Sequence, residues 1–189
     1  MTEPSADTIE QCRRGDTRAF ASVFERYERP LFAYVYRMLG DPSDCEPEDV
    51  VQEVFLKAYR NIHGFQPQAG GSFTAWIFSI ARHHCISLVR RSGIRKRHQE
   101  EIDQEAWSTR TDILDPHETL ILQEDLAGVR QAIGTLSEPV RSAFILRYYH
   151  DMPYADIARI LESTEAAVRL RVCRARKELF QQLNTGING

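Results

Sequence analysis

Two runs of basic residues hold the side chains with the clearest chemistry in this chain. From Arg82 to His98 there are six arginines or lysines, three histidines and no acid. From Val168 to Lys177 five basic residues occur without an intervening acid. Clustered arginine and lysine side chains bind phosphate, and arginine also binds the edge of guanine. The two runs therefore favour nucleic acid as a ligand, although solvated helix faces carry such runs too.

Acidic segments separate these basic runs and bring the net charge to −3. Residues 41–53 hold six acids and no base, and residues 99–125 hold nine acids against one base, Arg110. The first half of the second segment has little apolar periodicity, which is typical of a linker. The charge map thus indicates two basic modules joined by a flexible acidic linker.

The tripeptide His83-His84-Cys85 is the candidate for a metal site or an enzyme active site. Adjacent residues on a helix point about 100° apart, whereas helical metal sites use residues four apart, as in H-E-x-x-H. A histidine at a nucleic-acid surface is the better interpretation. The four cysteines include no C-x-x-C pair and predict free thiols rather than a disulfide framework. We expect no metal and no cofactor.

The elements that position these groups are predicted to be helices, because apolar residues recur at helical spacing along the chain. In the first half the predicted helices span about 7–15, 17–39, 46–64 and 73–91. Composition predicts a loop between Gly64 and Ser72. On the last of these helices Trp76 lies on the polar side, near basic groups, and such an arrangement suits unstacked bases.

The second half has the spacing of a helix-turn-helix. Its predicted helices span about 118–133, 138–150, 154–161 and 165–183, with a turn at 162–164. Apolar residues of the last helix, from Val168 to Leu179, fall on one side. The residues that point away are therefore Arg169, Leu170, Cys173, Arg174 and Lys177. A basic second helix of this kind lies in the DNA major groove. The turn lacks the glycine that is often found in such motifs.

The composition agrees with a soluble all-α protein. The chain has 189 residues, of which 42% are hydrophobic and 27% charged. This length suits one ordinary domain or two small ones. No apolar stretch approaches the length of a membrane span, and the N-terminus lacks the features of a leader peptide. We expect a cytoplasmic protein with no membrane insertion.

Three segments resemble the bacterial extracytoplasmic function (group IV, sigma-70 family) sigma factors of RNA polymerase. Residues 49–60, DVVQEVFLKAYR, resemble region 2.2 of that family. Residues 73–82, FTAWIFSIAR, resemble regions 2.3 and 2.4, and residues 136–179 resemble region 4. All three segments occur in the family's order, and together they cover nearly the whole chain.

The resemblance implies a two-domain initiation factor that is not itself an enzyme. A sigma-2-like domain would span 7–92, a linker 93–117, and a sigma-4-like helix-turn-helix domain 118–184. The protein would bind core RNA polymerase, recognise the minus-thirty-five and minus-ten promoter elements and promote DNA melting, in a stress or envelope response. Its partners would be the beta-prime clamp helices and beta flap of bacterial polymerase, promoter DNA and an anti-sigma factor.

The family's functional positions map onto three groups of residues here. Core polymerase binding would use Asp49, Gln52, Glu53 and Lys57. The minus-ten element would contact Phe65, Phe73, Trp76, Arg82, His83, Arg90 and Arg91. The minus-thirty-five element would contact Thr164, Arg169, Leu170, Arg171, Arg174 and Lys177. The chain departs from the family at Ala166, where glycine is frequent, and at Leu170, where a small hydroxyl residue is usual.

Two alternatives to these assignments remain open at this point. Phe65 and Phe73 could be plain core residues instead of base contacts. The whole chain could be a conventional helix-turn-helix transcription regulator with an N-terminal ligand or partner domain. Such a regulator needs no polymerase-docking helix, so core polymerase binding separates the two functions.

Overall fold

The computed structural model describes residues 3–39, 46–65, 72–99 and 129–186 of the chain. All regular structure within these ranges is helical, which confirms the all-α prediction. The helices are α1 (Ala6–Arg13), α2 (Thr17–Leu39), α3 (Pro47–Asn61), α4 (Phe73–Gln99), α5 (129–135), α6 (Glu138–Tyr148), α7 (Tyr154–Ile160) and α8 (Glu165–Gly186), with one 3-10 turn at Ile62–Gly64.

Short polar side chains begin the first two helices. The Ser5 hydroxyl accepts a hydrogen bond from the Thr8 amide at 3.1 Å and begins α1. The Asp16 carboxylate accepts from the amides of Arg18 and Ala19 at 2.8 and 3.3 Å and begins α2. These contacts satisfy amides that have no partner inside the helix.

The first module, α1 to α4, is built around the long helix α2. Its Tyr27, Leu31 and Val35 recur at helical spacing and are fully buried. Val51 and Phe55 of α3 pack into the same core. Because these inward residues recur at helical spacing, the opposite face of α3 is left to solvent.

The second module, α5 to α8, is a compact helical unit that contains the helix-turn-helix. Ile145 and Leu146 of α6 are fully buried together with Ile157 of α7. The inward residues of α8 complete this core, from Val168 to Leu179. The prediction of a helix-turn-helix is confirmed by α7 and α8 and the short turn between them.

Most helix ends lie within three residues of their predicted positions, but the end of α4 lies further along the chain. Helix α4 continues to Gln99 instead of ending near Arg91. The segment after Arg91 lacks apolar periodicity, but arginine and lysine are good helix formers, so Gly93 does not end the helix. The first residues of the predicted linker therefore belong to α4. The rest of that linker, 100–117, and the predicted start of the next helix, 118–128, lie outside the described residues.

The two modules pack against each other through α2 and α4 on one side and α6 and α7 on the other. The Tyr34 and Ser142 hydroxyls form a buried hydrogen bond of 2.8 Å across the contact. Arg141 donates from Nη1 to the Met38 carbonyl at 2.8 Å. His150 packs its ring against Tyr34 and Phe78. The contact thus combines apolar packing with hydrogen bonds, and Nε of Arg141 and Nε2 of His150 are buried there without a hydrogen-bond partner among the described residues.

Candidate nucleic-acid interface

The turn between α7 and α8 uses a glutamate where glycine would be expected. Glu162 adopts a φ of 50°, in the left-handed region that glycine occupies most readily. After the turn, the Thr164 hydroxyl accepts a hydrogen bond from the Ala167 amide at 3.2 Å and caps α8. The missing glycine therefore does not prevent the turn, and Thr164 supports the helix that follows.

Helix α8 presents a basic face to solvent. Its inward residues, Val168, Val172, Ala175 and Leu179, are all buried. The predicted outward residues are all exposed: Arg169, Leu170, Cys173, Arg174 and Lys177. The predicted faces of this helix are thus confirmed. With 71% of its surface exposed, Leu170 is an apolar contact group in the middle of the basic face.

Three arginines of α8 have different local partners. The Arg169 guanidinium stacks over the Tyr154 ring, 4.4 Å from its centroid. Arg174 forms an ion pair with Glu178 at 2.6 Å. Arg171 is half-buried, and its Nη1 has no hydrogen-bond partner among the described residues. Tyr154 was not among the residues identified from the sequence, because a tyrosine at the start of a short helix carries no periodic signal.

The outer face of α3 is acidic, with apolar neighbours. Asp49, Gln52 and Glu53 are exposed, as the resemblance requires for a docking face. Leu56 and Tyr59 lie on the same helix with 46% and 39% of their surfaces exposed. Tyr59 also packs edge to face against Phe20, with ring centroids 5.0 Å apart. Sequence reasoning missed Leu56 and Tyr59 because they belong to neither the buried stripe nor the charged one.

Lys57, the fourth predicted docking residue, is half-buried and contacts α4. Its Nζ lies 2.5 Å from Nδ1 of His84. Burial lowers the pKa of His84, and the neighbouring Lys57 charge lowers it further. His84 is thus held as a neutral acceptor for Lys57, on a different side of α4 from His83.

The three aromatic residues predicted to contact the minus-ten strand form one cluster. The ring centroids of Phe65, Phe73 and Trp76 are 5.3 Å apart in each pair. Phe65 and Phe73 are buried, whereas Trp76 is partly exposed. In this conformation the phenylalanines form the floor of the cluster, and Trp76 offers the accessible ring. Of the predicted loop between Gly64 and Ser72, residues 66–71 lie outside the described residues.

Arg82 and His83, also predicted to contact the minus-ten region, instead contact the second module. Arg82 donates from Nε and Nη2 to the two carboxylate oxygens of Glu138, at 2.9 and 3.0 Å. Only 12% of its side chain is exposed. His83 Nε2 lies 3.3 Å from Oε1 of Glu162. Of the predicted minus-ten residues, Arg82 and His83 therefore contact carboxylates of the second module. Arg90 and Arg91 are exposed, and Phe65 and Phe73 are buried.

Among the described residues, no helix combines the length and apolar character that crossing a bilayer requires.

Comparison with known proteins matches both modules to one family. Residues 23–94 match Sigma-70 region 2, and residues 126–179 match Sigma-70, region 4. The chain is 30% identical over 186 residues to RNA polymerase sigma-H factor of Pseudomonas aeruginosa, covering 96% of this chain and 94% of the relative. It is 31% identical over 188 residues to ECF RNA polymerase sigma-E factor of Escherichia coli, covering 95% of each.

A solved structure has a similar fold. The sigma factor RpoE in complex with the anti-sigma factor NepR from Bartonella quintana matches with a TM-score of 0.69 and 24% identity, covering 87% of this chain and 96% of that one. Both modules, their order and their helices therefore agree with one family. The chain belongs to the extracytoplasmic function sigma factors of the sigma-70 family.

Proposed function

We propose that the chain directs core RNA polymerase to a set of promoters by reading the minus-thirty-five element with α8 and the minus-ten element with the surface around Trp76. The observation that carries this proposal is the basic, exposed face of α8 within a helix-turn-helix, on the same chain as the acidic docking face of α3. In this proposal the protein acts in the cytoplasm, where RNA polymerase works, and does not itself catalyse a reaction.

Polymerase binding is assigned to the exposed face of α3. Asp49, Gln52 and Glu53 offer oxygen acceptors to basic groups on the beta-prime clamp helices. Leu56 and Tyr59 add exposed apolar surface beside them. A centre of apolar contact with a charged rim is the common form of a protein interface. The second module is assigned to the beta flap.

Different side chains are assigned to different parts of the promoter, according to their chemistry. Arg169, Arg174 and Lys177 are exposed on α8 and long enough to reach base edges or phosphates. Leu170 suits the methyl group of thymine. Near the minus-ten element, Trp76 stacks on an unpaired base, while Arg90 and Arg91 bind the backbone.

Promoter binding requires the two modules to separate. The two elements are named for positions about 25 base pairs apart, which is roughly 85 Å of duplex at 3.4 Å per base pair. A compact chain of 189 residues has a radius of gyration of only about 16 Å. Modules in direct contact do not span that distance, so Arg82 and His83 have to leave Glu138 and Glu162 before they reach DNA.

An anti-sigma factor is the proposed inhibitory partner. The similar structure of RpoE was solved in complex with the anti-sigma factor NepR. A protein that stabilises the contact between the modules would keep Arg82 unavailable to DNA. We place the regulation of this sigma factor at that contact, in a stress or envelope response.

Run-off transcription on a promoter library tests the proposed function. We expect core polymerase with this chain to initiate at a defined set of promoters, and polymerase alone not to do so. A chain that binds one operator tightly in moderate salt, and does not bind core polymerase, would instead be a conventional regulator. Pull-down of core polymerase in parallel distinguishes the two outcomes.

A further inference from the structure

We infer that Glu3 is a positioning residue for minus-ten recognition, acting through the first turn of α4. This inference rests on the proposed function, because it concerns the aromatic cluster that the proposal assigns to the minus-ten strand. No contact of Glu3 with polymerase or DNA is proposed. It fixes the residues that carry the accessible ring.

The Glu3 carboxylate binds the start of α4 from a distant part of the chain. Oε2 accepts a hydrogen bond from the Phe73 amide at 2.8 Å. Oε1 accepts from the Ser72 hydroxyl at 2.6 Å and from the Thr74 amide at 3.2 Å. Hydrogen bonds to a carboxylate are stronger than those between neutral groups, and the positive end of the helix dipole adds to them.

Glu3 is itself held in place. Its carbonyl oxygen accepts a hydrogen bond from Nη1 of Arg26 on α2, at 3.0 Å. The next residue, Pro4, is buried, and Ser5 caps α1. The carboxylate is therefore anchored to the α1 and α2 side of the module and joins that side to α4.

The residues that Glu3 binds are the ones that orient the aromatic cluster. Phe73 packs against Phe65 and Trp76, with ring centroids 5.3 Å apart in both pairs. The Thr74 hydroxyl forms a buried hydrogen bond of 2.7 Å with Tyr27. A shift of the Phe73 backbone would thus move the packing surface of Trp76.

The charge of Glu3 makes a direct DNA contact unfavourable, since a carboxylate repels phosphate. Its effect should therefore appear in the choice of base and not in general affinity for DNA. Selective loss of minus-ten discrimination distinguishes positioning from a purely structural role, which would weaken initiation at all promoters alike.

The test uses full-length Glu3→Ala and Glu3→Gln with core polymerase. Initiation is measured on promoters carrying single substitutions in the minus-ten or the minus-thirty-five element. We expect Glu3→Ala to reduce discrimination at minus-ten positions about tenfold, consistent with the loss of hydrogen bonds to a charged group. Discrimination at minus-thirty-five positions should not change. Glu3→Gln, which keeps one acceptor oxygen, should give an intermediate value.

Glu10→Ala is the matched control, because it removes another acidic residue near the same end of the chain. The ion-pair partners of Glu10, Arg13 and Arg14, lie close to it in sequence. The Glu10→Ala variant should behave as the unmodified protein. Equal loss at both elements for Glu3→Ala, or unchanged minus-ten discrimination in either Glu3 variant, would overturn the inference. Absence of promoter discrimination in the unmodified protein would overturn the proposed function instead. If Glu3→Ala does not fold, the comparison of Glu3→Gln with Glu10→Ala decides.

Discussion

Arg174 and Arg169 lie on the same exposed face of α8 but have different neighbours. Arg174 is paired with Glu178 one turn away, and both groups are accessible to solvent. Such a surface pair contributes little, so DNA can replace Glu178 at small cost. Arg169 is supported from below by the Tyr154 ring, which limits its conformations before DNA arrives.

We expect Arg174→Ala to act on one base pair. If the guanidinium binds a guanine through two hydrogen bonds, its loss should cost ~1–3 kcal/mol at that base and relax the preference there. Initiation on promoters varied at single minus-thirty-five positions measures this. A uniform loss over all positions would make Arg174 a phosphate contact and move base reading to Arg169 or Arg171.

Arg90→Ala should behave differently. Arg90 is exposed on the first module and is assigned to the DNA backbone. Its removal should weaken all promoters alike and reduce the slope of log affinity against log salt by about one. Binding of the polymerase complex at several salt concentrations gives this slope. A change confined to particular promoter sequences would contradict the assignment.

At the scale of elements, the two faces of helix α3 have different roles: one packs into the core and the other is proposed to bind polymerase. The buried side joins the core of the first module, and the exposed side carries Asp49 and Glu53. We expect Asp49→Ala combined with Glu53→Ala to lower affinity for core polymerase. Each surface change should alter the free energy of unfolding by less than ~0.5 kcal/mol. Titration with labelled core polymerase and thermal unfolding together measure both effects.

Glu48→Ala is a suitable control for that pair. Glu48 is an exposed acid of the same helix, and the docking assignment does not include it. It should leave core affinity close to that of the unmodified protein. Equal losses in the control and in the double variant would indicate a general charge effect and remove the specific assignment.

Much of the helical structure could be predicted from the sequence, because the spacing of apolar residues shows which face of a helix is buried. The bounds of α2 and the inward residues of α8 follow directly from it. The extension of α4 to Gln99 could not be predicted, since propensity without an apolar stripe leaves no periodic signal. The ion pair between Arg82 and Glu138 could not be predicted either, because no sequence pattern links two opposite charges that are 56 residues apart.

At the scale of the whole molecule, the contact between the modules should weaken DNA binding by the free chain. Glu138→Gln removes the charge that holds Arg82. We expect this change to raise affinity for duplex promoter DNA by about threefold or more, because it removes the charge-assisted hydrogen bonds that hold a mostly buried Arg82. Fluorescence anisotropy with the isolated protein measures this affinity. The matched control Glu28→Gln removes an exposed charge from α2. Equal gains in the two variants would show that only net charge matters.

The same contact should respond to acid through His150. Burial lowers its pKa to about 4, and the nearby Arg37 charge acts in the same direction. Unfolded histidine has a pKa of about 6.5, so the unfolded chain binds more protons between these values. The stability that neutral His150 contributes is complete above pH 6.5 and declines as the pH falls towards 4. Chemical unfolding between pH 7 and 4.5 should show this decline, and His150→Phe should make it less steep.

The sequence separation of the Arg82–Glu138 pair also has a consequence for a chain that is still being made. Glu138 is synthesised 56 residues after Arg82. At roughly 5–20 residues per second, this interval is about 3–11 seconds. During that interval Arg82 leaves the ribosome on a folded or folding first module before Glu138 is present to engage it. Each new molecule therefore begins in an open state, in which polymerase can bind before the second module closes over the first.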